Sequence, residues 1–285
     1  MDLAIATCRP LPEPDHDEAP LMQALHEAGL TAELLAWNDP TADFSKARLT
    51  IVRSTWDYYR HPEAFAQWLD QREGRLANAA CVLRWNMHKR YLRELDEEGF
   101  AVVPTVLVPR GTGVALTSLL RKKEWLSAVA KPAMGAGSFL TRRVSSSAGD
   151  NEWFAERLRE RDMLVQPFLP TVQTVGERSL VYIDGQLSHV VHKKPRFDDQ
   201  SENATLASDA TDEERALADR VMRYVVTRLP CGSLLYGRCD LLFDNDGKPM
   251  ISELELTEPS LFFYKQPAAL PKFVNAVKQW LAPLR

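Results

Sequence analysis

The sequence predicts a mixed α/β and α+β protein, in which a parallel α/β region is followed by a body of antiparallel hairpins. Two observations carry this prediction. Over residues 1–85, short apolar runs alternate with amphipathic helical segments, which is the pattern of a parallel β-α-β sheet. Further along, Asp184-Gly185 and Asp246-Gly247 each separate two apolar runs. Asp-Gly is a strong hairpin signal because glycine accepts the positive φ of tight turns.

The N-terminal region is predicted to hold three strands, from apolar runs at residues 3–8, 32–37 and 49–53. After the first strand, a helix is predicted with Asp17 or a neighbour as its cap, Pro20 in its first turn and Gly29 at its end. Pro62 opens a further helix. This region therefore reads as a small parallel sheet with helical crossovers.

The central region is predicted to mix helices and strands. Residues 86–98 read as one continuous helix that Gly99 ends. Residues 102–108 read as a strand, and Pro104 within it favours an edge position because proline cannot donate to a neighbouring strand. The other predicted elements are helices at residues 112–120 and 151–161 and strands at residues 126–131, 139–144 and 163–168.

The C-terminal region is predicted to contain two hairpins and two helices. Its first hairpin turns at Asp184-Gly185, and the polar residues 197–210 after it are predicted to form a mobile loop without strands. A capping box, Thr211-x-x-Glu214, then opens a helix. The second hairpin follows, and apolar residues spaced over 270–281 predict the last helix.

Composition narrows the function classes. The chain has 285 residues, 45% of them hydrophobic and 26% charged, which is ordinary for a globular protein of two or three subdomains. A net charge of −4 without a basic stripe argues against a nucleic-acid partner. No apolar run approaches the roughly 20 residues of a membrane span. The start lacks a signal peptide's basic segment, and the four cysteines are scattered, so we expect a reduced, cytoplasmic protein.

The second hairpin, residues 238–255, carries the clearest chemical signal. A two-residue turn at Asp246-Gly247 sets its register, and the alternation of side chains then places four charged residues on one face. The predicted pairs are Asn245–Lys248, Phe243–Met250, Asp240–Glu253 and Arg238–Glu255.

Asp240 and Glu253 are thus predicted to oppose each other directly. Opposed like charges destabilise a sheet, so the pair calls for a cation, and all-oxygen ligands suit Mg²⁺ or Mn²⁺ better than zinc. Because the carboxylates repel, we expect Asp240→Asn to leave the fold intact or more stable. The alternative is a solvated acidic face, with Arg238 in a surface salt bridge.

A second chemical signal is the segment from Lys131 through Gly135, Gly137 and Ser138. Glycines let backbone N–H groups approach an anion, and a lysine beside such a loop can bind phosphate. The segment is neither a Walker A loop nor a Rossmann fingerprint. Taken alone, it is a weak signal, because two glycines in such a position more often form an ordinary turn. Lys131 follows an apolar run, where an unpaired ammonium group is costly, and this favours the phosphate reading.

Other polar residues carry weaker signals. His189 and His192 stand three apart in a predicted strand and point to opposite faces, which argues against zinc. Either could be the base for an acceptor amine, although neither stands out. Arg53 follows a predicted parallel strand at the end where such sheets bind ligands, so it is a candidate clamp for a substrate carboxylate. The alternative is an arginine stacked on its aromatic neighbours.

Taken in order, these motifs resemble the ATP-grasp superfamily along almost the whole chain. The motifs are Lys89, Lys131 with its glycine loop, Gln166-Pro167-Phe168-Leu169, Gly176-Glu177, Lys193, Arg238-x-Asp240 and Glu253-x-Glu255-x-x-x-Pro259. The chain resembles the glutathione-synthetase and ribosomal-protein-modifying branch, and within it the cycloserine-pathway group of O-ureido-serine cyclo-ligases. Three stretches suggest that group: residues 53–58, 176–180 and 253–260.

The resemblance implies an ATP-grasp fold with three subdomains. These are an N-terminal α/β subdomain (residues 1–85), a central lid (86–165) and a C-terminal subdomain with the metal site (166–285), the last two clamping ATP. It also implies an ATP-dependent ligase that makes an amide-type C–N bond from a carboxylate through an acyl phosphate. The substrate would be a small amino-acid-like or peptide-like molecule, and a homo-oligomer is left open.

The resemblance also implies roles for individual residues. Nucleotide would be bound by Lys89, Lys131, Gly135, Gly137, Ser138, Gln166, Phe168, Leu169 and Glu177. Two Mg²⁺ ions, with Mn²⁺ left open, would be held by Asp240, Glu253 and Glu255. Arg238 would face the acyl phosphate and Lys193 would reach the phosphates as catalytic residues. Substrate would be contacted by Arg53, Ser54, Thr55, Asp57 and Ser260.

Two departures from the resemblance bear on substrate and metal. Many relatives have asparagine where this chain has Glu255, which still provides oxygen ligands. Residues 196–200 match the group's acceptor-covering loop poorly, so the substrate stays open. Alternatives are intramolecular cyclisation of an amino-acid derivative, phosphorylation without ligation, and a nucleotide-binding module without catalysis. A metal-dependent hydrolase would not explain Lys131, its loop or Glu177.

Overall fold

The computed structural model describes residues 1–194, 203–230 and 232–284, with only the backbone of residue 284. Within these residues the chain forms three sheets, which follow one another along the sequence. No helix in this described part is both long enough and apolar enough to cross a bilayer.

The first sheet is parallel, as predicted, with the strand order β2-β1-β3-β4. Its strands are β1 (Leu3–Thr7), β2 (Ala32–Ala36), β3 (Leu49–Val52) and β4 (Leu76–Ala77), and the helices of this region are α1 (Glu18–Glu27), α2 (Pro62–Asp70) and α3 (Ala80–Met87). Asp17 stands at the N-cap position of α1, as predicted, but its carboxylate makes no capping hydrogen bond. The Asp17 carboxylate instead accepts hydrogen bonds from the backbone N–H groups of Leu261 and Tyr264.

The second sheet is antiparallel, with the order β5-β8-β6-β7. Its strands are β5 (Val106–Val108), β6 (Ala128–Pro132), β7 (Arg142–Val144) and β8 (Met163–Pro167), and its helices are α4 (Tyr91–Glu97), α5 (Leu116–Lys123) and α6 (Ala148–Glu160). As predicted, β5 is an edge strand. Because β8 continues to Pro167, the boundary predicted at residue 165 falls inside a strand, and the sheet favours a boundary after Pro167.

The helix predicted over residues 86–98 is interrupted, and the interruption has a function in the fold. Helix α3 ends at Met87 and α4 begins at Tyr91. Between them, the backbone N–H of Lys89 donates to the carbonyl of Ala133 at 2.8 Å. This bond anchors Lys89 beside the glycine-rich loop. The strand predicted over 139–144 is also shorter, because the loop continues until β7 begins.

The third sheet is antiparallel, with the order β11-β10-β9-β12-β13. Its strands are β9 (Glu177–Ile183), β10 (Gln186–Lys193), β11 (Ala204–Leu206), β12 (Tyr236–Phe243) and β13 (Pro249–Glu255), and its helices are α7 (Thr171–Thr174), α8 (Asp212–Arg228) and α9 (Leu270–Leu281). The capping box of Thr211 and Glu214 is confirmed. Strand β11 corrects the prediction of a strand-free loop, and residues 197–202 lie outside the described residues.

Helix α9 ties the end of the chain to its beginning. Its buried residues Phe273 and Val277 share one apolar cluster with Leu3 and Leu25 of the first sheet and α1, and with Ile183 of β9. Burial of such a cluster is the main source of stability at a domain contact. The cluster therefore fixes the N-terminal region against the third sheet.

The hairpin of β12 and β13 has the predicted register where its charged residues lie. Asp240 pairs with Glu253, as predicted. Nearer the turn, however, Phe243 pairs with Pro249 and not with Met250. The register therefore changes by one residue within the hairpin.

Two irregularities cause this change and cancel each other. The turn is one residue longer than predicted, since Asp244 N–H donates to the carbonyl of Lys248 and Gly247 takes a φ of +79°. A β-bulge then leaves Ser252 without a partner in the ladder and shifts the register back. The predicted two-residue turn is wrong, but the predicted pairing of the carboxylates is confirmed.

Candidate active site

A cleft between the sheets collects most of the predicted site residues. Those that line it are Lys89, Lys131, Gly135, Gly137, Ser138, Gln166, Phe168, Leu169, Glu177, Lys193, Arg238, Glu253, Glu255 and Ser260. Asp240 lies beneath them and is only 1% exposed. Arg53, Ser54, Thr55 and Asp57 do not line the cleft.

Two lysines hold the carboxylate of Glu253. Lys89 Nζ lies 2.9 Å from Glu253 Oε1, and Lys131 Nζ lies 3.2 Å from Oε2. Burial acts to raise the pKa of Glu253, but the two ammonium groups outweigh it and lower that pKa to about 2. Lys89 also donates to the carbonyl of Gly135 at 2.8 Å. The lysines from two separate elements therefore converge on one carboxylate.

The carboxylate of Asp240 is held by Arg238 and Lys193. Arg238 donates from Nε to Oδ1 and from Nη2 to Oδ2, both at 2.8 Å, in a bidentate pair. Lys193 Nζ donates to Oδ2 at 2.8 Å. Although burial opposes ionisation, these cations hold the pKa of Asp240 well below its usual range. Arg238 is therefore paired within the hairpin and also reaches the carbonyl of Ser260 at 3.1 Å.

Glu255 completes the acidic face, and its charge is incompletely balanced. It accepts from Arg238 Nη2. Burial raises the pKa of Glu255 to about 7, Arg238 opposes that rise, and the charges of Asp240 and Glu253 add to it. In this arrangement, each of the three carboxylates turns toward a basic side chain, and the described residues contain no group of three or more His, Cys, Asp or Glu placed to hold a metal.

The glycine-rich loop closes one wall of the cleft. Gly137 has a φ of +59°, and a Cβ there would lie 3.0 Å from Glu13 Oε1, so this position favours glycine. The ring of Phe139 stacks on Tyr59 with centroids 4.3 Å apart. The loop therefore rests on the N-terminal region at two points.

The far end of the cleft is apolar and flanked by β8. Val103, Val129, Val172, Leu242 and Leu254 line it. The side chain of Gln166 donates to Thr105 Oγ1 at 2.9 Å, and Phe168 N–H donates to the carbonyl of Ser127 at 3.0 Å. The backbone N–H of Phe168 is thus already bonded. The guanidinium carbon of Arg143 lies 3.7 Å from the centroid of the Phe168 ring.

Glu177 lies between the apolar end and the ionic centre. Its Oε1 accepts from Ser252 Oγ at 2.9 Å, and its Oε2 lies 3.2 Å from Lys193 Nζ. Ser252 is the bulge residue of β13, so the irregularity in the hairpin also positions Glu177. Sequence reasoning missed Ser252, because a bulge leaves no sequence signal of its own here.

The predicted substrate segment after β3 is engaged inside the N-terminal region. Arg53 is 3% exposed and its Nη2 lies 3.7 Å from Asp17 Oδ2. Ser54 and Thr7 hydroxyls lie 2.9 Å apart. Asp57 accepts from the Trp37 indole at 2.6 Å and also from Asn38.

The same segment nevertheless reaches the cleft through other residues. Trp56 and Tyr58 line it, as do Glu13 and Glu258. None of these four was predicted as a site residue, although Trp56, Tyr58 and Glu258 stand in the stretches that suggested the cyclo-ligase group. Within the described residues, Nε and Nη1 of Arg53 and the hydroxyl of Thr55 are buried without a hydrogen-bond partner.

The two histidines considered as bases lie away from the cleft. His189 Nε2 bonds the carbonyl of Leu261 at 2.9 Å, and His192 Nε2 bonds that of Val175 at 2.6 Å. Neither lines the cleft. Burial lowers the pKa of His189 to about 4, so this ring is neutral near pH 7 and donates to Leu261. The structure therefore gives both rings backbone partners and no place beside a substrate.

Comparison with known proteins identifies the family. A sequence family described as "D-cycloserine synthetase DcsG, N-terminal domain" matches residues 3–78. The cycloserine biosynthesis protein DcsG of Streptomyces lavendulae is 31% identical over 285 aligned residues, covering 94% of this chain and 95% of that protein. The crystal structure of D-cycloserine synthetase DcsG matches with a TM-score of 0.88 and 28% identity, covering 99% of this chain and 100% of that one.

More distant structures share the fold. D-alanine–D-alanine ligase from Bacillus anthracis matches with a TM-score of 0.69 at 12% identity, covering 100% of this chain and 98% of that one. The ATP-grasp ligase PsnB, solved with a minimal precursor, matches with a TM-score of 0.66 at 16% identity, covering 98% of each chain. The predicted ATP-grasp fold is confirmed. The chain belongs to the D-cycloserine synthetase DcsG family, and it is an ATP-grasp ligase that joins a carboxylate to an amine in an ATP-dependent reaction.

Proposed function

We propose that the protein is a cyclo-ligase that closes a five-membered ring on an O-substituted serine. One observation carries the proposal: the similarity to D-cycloserine synthetase extends over nearly the whole chain in sequence and in structure. The ring C–N bond of cycloserine joins the carboxyl carbon to the nitrogen of an alkoxyamine. Opening that bond with water gives O-amino-serine, which is therefore the simplest substrate of this class.

ATP would lie along the cleft with its base in the apolar end. The backbone of Gln166 to Leu169 would bind adenine, with the N–H of Phe168 excluded because it bonds Ser127. Glu177 would hold the ribose hydroxyls. The phosphates would meet Lys89, Lys131 and Lys193 together with the loop residues Gly135, Gly137 and Ser138.

The residues at the phosphate end fit Mg²⁺. Asp240, Glu253 and Glu255 provide hard oxygen ligands, and the pKa of Glu255 is raised first by its burial and then by the negative charges of Asp240 and Glu253. When bound, Mg²⁺ would neutralise developing charge on the phosphate oxygens. Two ions are proposed, with Mn²⁺ as a substitute. The lysines that now hold Glu253 would then be free to turn to the phosphates.

The proposed reaction has two steps. The substrate carboxylate attacks the γ-phosphorus, the bond to the bridging oxygen breaks, and ADP leaves as an acyl phosphate forms. The alkoxyamine nitrogen attacks the acyl carbon, phosphate leaves and the nitrogen loses one proton. Arg238 would stabilise the negative charge of the acyl phosphate. An alkoxyamine is a much weaker base than an α-amine, so it is uncharged near pH 7 and needs no histidine in the cleft to deprotonate it before attack.

The remaining inferences are coarser. We propose three subdomains, with the boundary between the second and third moved from residue 165 to follow Pro167. We propose a cytoplasmic enzyme, since ATP is its substrate. Arg53, Ser54, Thr55 and Asp57 are proposed to support the substrate site from behind Trp56, and Ser260 to border it directly.

The test measures ADP release and product mass together. Wild-type protein with Mg-ATP is given O-amino-D-serine, O-amino-L-serine or O-ureido-D-serine, and in parallel a panel of amino acids and dipeptides. Stimulated ADP release with a product lighter by one water than O-amino-serine supports cyclisation. A product whose mass is the sum of two substrates less water would replace it with intermolecular ligation. Tight Mg-ATP binding without stimulation by any probe would refute both.

A further inference from the structure

Glu258 carries a cleft carboxylate that has no partner within the described part of the chain. It lines the cleft three residues after the end of β13. Four further acidic residues of the site, Asp240, Glu253, Glu255 and Glu177, each have a basic partner. Among the residues that the structure describes, the side chain of Glu258 has neither an ion pair nor a hydrogen bond.

The backbone at Glu258 is firmly placed. Its carbonyl accepts from the Trp56 indole at 3.0 Å. The carbonyl of the preceding Thr257 accepts from the Tyr236 hydroxyl at 3.0 Å, and Pro259 restricts the backbone on the other side. A side chain on a fixed backbone can present its charge at a defined position. Glu258 therefore presents its carboxylate to the cleft from a fixed backbone.

Glu258 lies toward the N-terminal wall of the cleft. Burial and, after it, the Glu258 carboxylate raise the pKa of the Tyr58 hydroxyl. Burial also raises the pKa of Tyr236, which Arg53 lowers and the Glu258 carboxylate raises. Asp240, by contrast, is bonded to Lys193 of β10. The charge of Glu258 therefore acts on Tyr58 and Tyr236 on this side and on Lys89 and Arg238 on the other, and its backbone places it beside Trp56.

This environment calls for a small organic cation. Burial raises the pKa of Glu258 to about 8, the charges of Glu255 and Glu253 add to the rise, and the cations Lys89 and Arg238 oppose it only in part. A cation beside it would remove that cost. Asp240, Glu253 and Glu255 already form a set suited to a metal, whereas Glu258 lines the cleft together with the aromatic side chains of Trp56 and Tyr58. A carboxylate with aromatic rings is a common setting for an ammonium group.

We propose that Glu258 binds the α-ammonium group of the substrate and so selects α-amino-acid derivatives. The inference rests on the proposed function, because ring closure uses the alkoxyamine and leaves the α-ammonium free to be bound. It assigns the two ends of the substrate to different parts of the cleft. The carboxylate would face the phosphates and Arg238, and the ammonium would face Glu258 and Trp56.

The test compares Glu258→Gln with Glu177→Gln, both of which replace a cleft carboxylate by an isosteric amide. Glu258→Gln should raise KM for O-amino-D-serine about 10- to 100-fold, the range expected for loss of a hydrogen bond to a charged group, and leave KM for ATP unchanged. Glu177→Gln should instead raise KM for ATP and leave KM for O-amino-D-serine unchanged. N-acetylation of the probe should lower kcat/KM strongly in wild type and little in Glu258→Gln.

Other outcomes overturn the proposal. A fall in kcat with unchanged KM would make Glu258 a proton-transfer group. Equal discrimination against the acetylated probe in wild type and variant would remove the ammonium contact. If wild type turns over none of the probes, the proposed function fails. Thermal shift then tests separately whether Glu258 binds an ammonium group. With Mg and a non-hydrolysable ATP analogue, D-serine should stabilise wild type more than N-acetyl-D-serine does, and Glu258→Gln should lose that difference. If D-serine and N-acetyl-D-serine stabilise wild type equally, Glu258 does not bind the ammonium group.

Discussion

Asp240 and Glu253 face each other across β12 and β13, yet their carboxylates bind different cations. Asp240 accepts from Arg238 and Lys193, whereas Glu253 lies between two lysines from the second sheet region. Directly opposed like charges would destabilise the hairpin. The basic side chains offset that cost because each carboxylate is paired with its own two cations. The acidic pair is thus neutralised by the protein's own cations.

This pairing reverses the expectation that Asp240→Asn leaves the fold unchanged or more stable. The amide leaves Arg238 and Lys193 buried with one negative charge fewer, so we expect the free energy of unfolding to fall by about 1–3 kcal/mol. The pKa of Asp240 is lowered in the fold from 3.8. Its contribution is therefore present above that pH and lost as pH falls below it, and urea denaturation should show wild type and variant converging in acid.

Asp246→Asn is the matched control, because Asp246 is exposed in the turn of the same hairpin. It should change stability by less than about 0.5 kcal/mol. Asp240→Asn should also reduce ADP release at limiting Mg²⁺ by tenfold or more, and the control should not. Full activity in Asp240→Asn would remove Asp240 from the proposed metal ligands. A more stable variant would show that repulsion from Glu253 outweighs the two cations.

Competition between lysine and metal at Glu253 predicts coupled binding. Because two ammonium groups occupy its oxygens, Mn²⁺ alone should bind weakly. Nucleotide phosphates would attract the lysines away, so Mn²⁺ affinity, measured by electron paramagnetic resonance, should rise at least tenfold when ADP is present, about 1.4 kcal/mol of coupling. Lys131→Met should bind Mn²⁺ alone more tightly than wild type and show less coupling.

Lys123→Met, at an exposed position at the end of α5, is the control for the loss of one positive charge. It should bind Mn²⁺ as wild type does. Equal Mn²⁺ affinity with and without ADP would mean that Glu253 is not shared between lysine and metal.

The hairpin shows how far the sequence could predict this site. Strand periodicity placed Asp240 opposite Glu253 correctly. It could not reveal the longer turn at Asp244 or the bulge at Ser252, since both depend on hydrogen bonds made after folding. The prediction held because the two one-residue shifts cancel. Local patterning thus identified the charged face and its partner strand, but not the geometry that produces them.

The sequence could not predict the roles of residues whose partners lie far away along the chain. Asp17 looked like a helix cap, yet it bonds the backbone of Leu261, 244 positions away. Lys89 looked like one residue of a continuous helix, yet a bond to Ala133 breaks that helix. Glu258 stood in a stretch that carried the family resemblance, but only the folded chain shows that its carboxylate has no partner among the residues described.

Ser252→Ala tests the link between the bulge and the nucleotide site. The Ser252 hydroxyl lies 2.9 Å from Glu177 Oε1 and 3.0 Å from the carbonyl of Asp240, so it can donate to either. Its loss should release Glu177 and raise KM for ATP about fivefold, which corresponds to one hydrogen bond of about 1 kcal/mol, with kcat nearly unchanged. Steady-state kinetics with varied ATP measures this effect. In a Glu177→Gln background, Ser252→Ala should add little, and full additivity would separate the two residues.

His189 predicts a loss of stability in mild acid. Burial lowers its pKa from 6.5 to about 4 while it donates to the carbonyl of Leu261. The unfolded chain therefore binds a proton that the folded protein does not, so stability is complete above pH 6.5 and falls as pH decreases toward 4, by up to about 3 kcal/mol. His189→Gln keeps a donor and removes this titration, so its urea midpoint should depend less on pH across that window. His61→Gln, at an exposed position, should follow the wild-type profile. If the urea midpoints of His189→Gln and wild type depend on pH in parallel, His189 is not responsible for the loss of stability in acid.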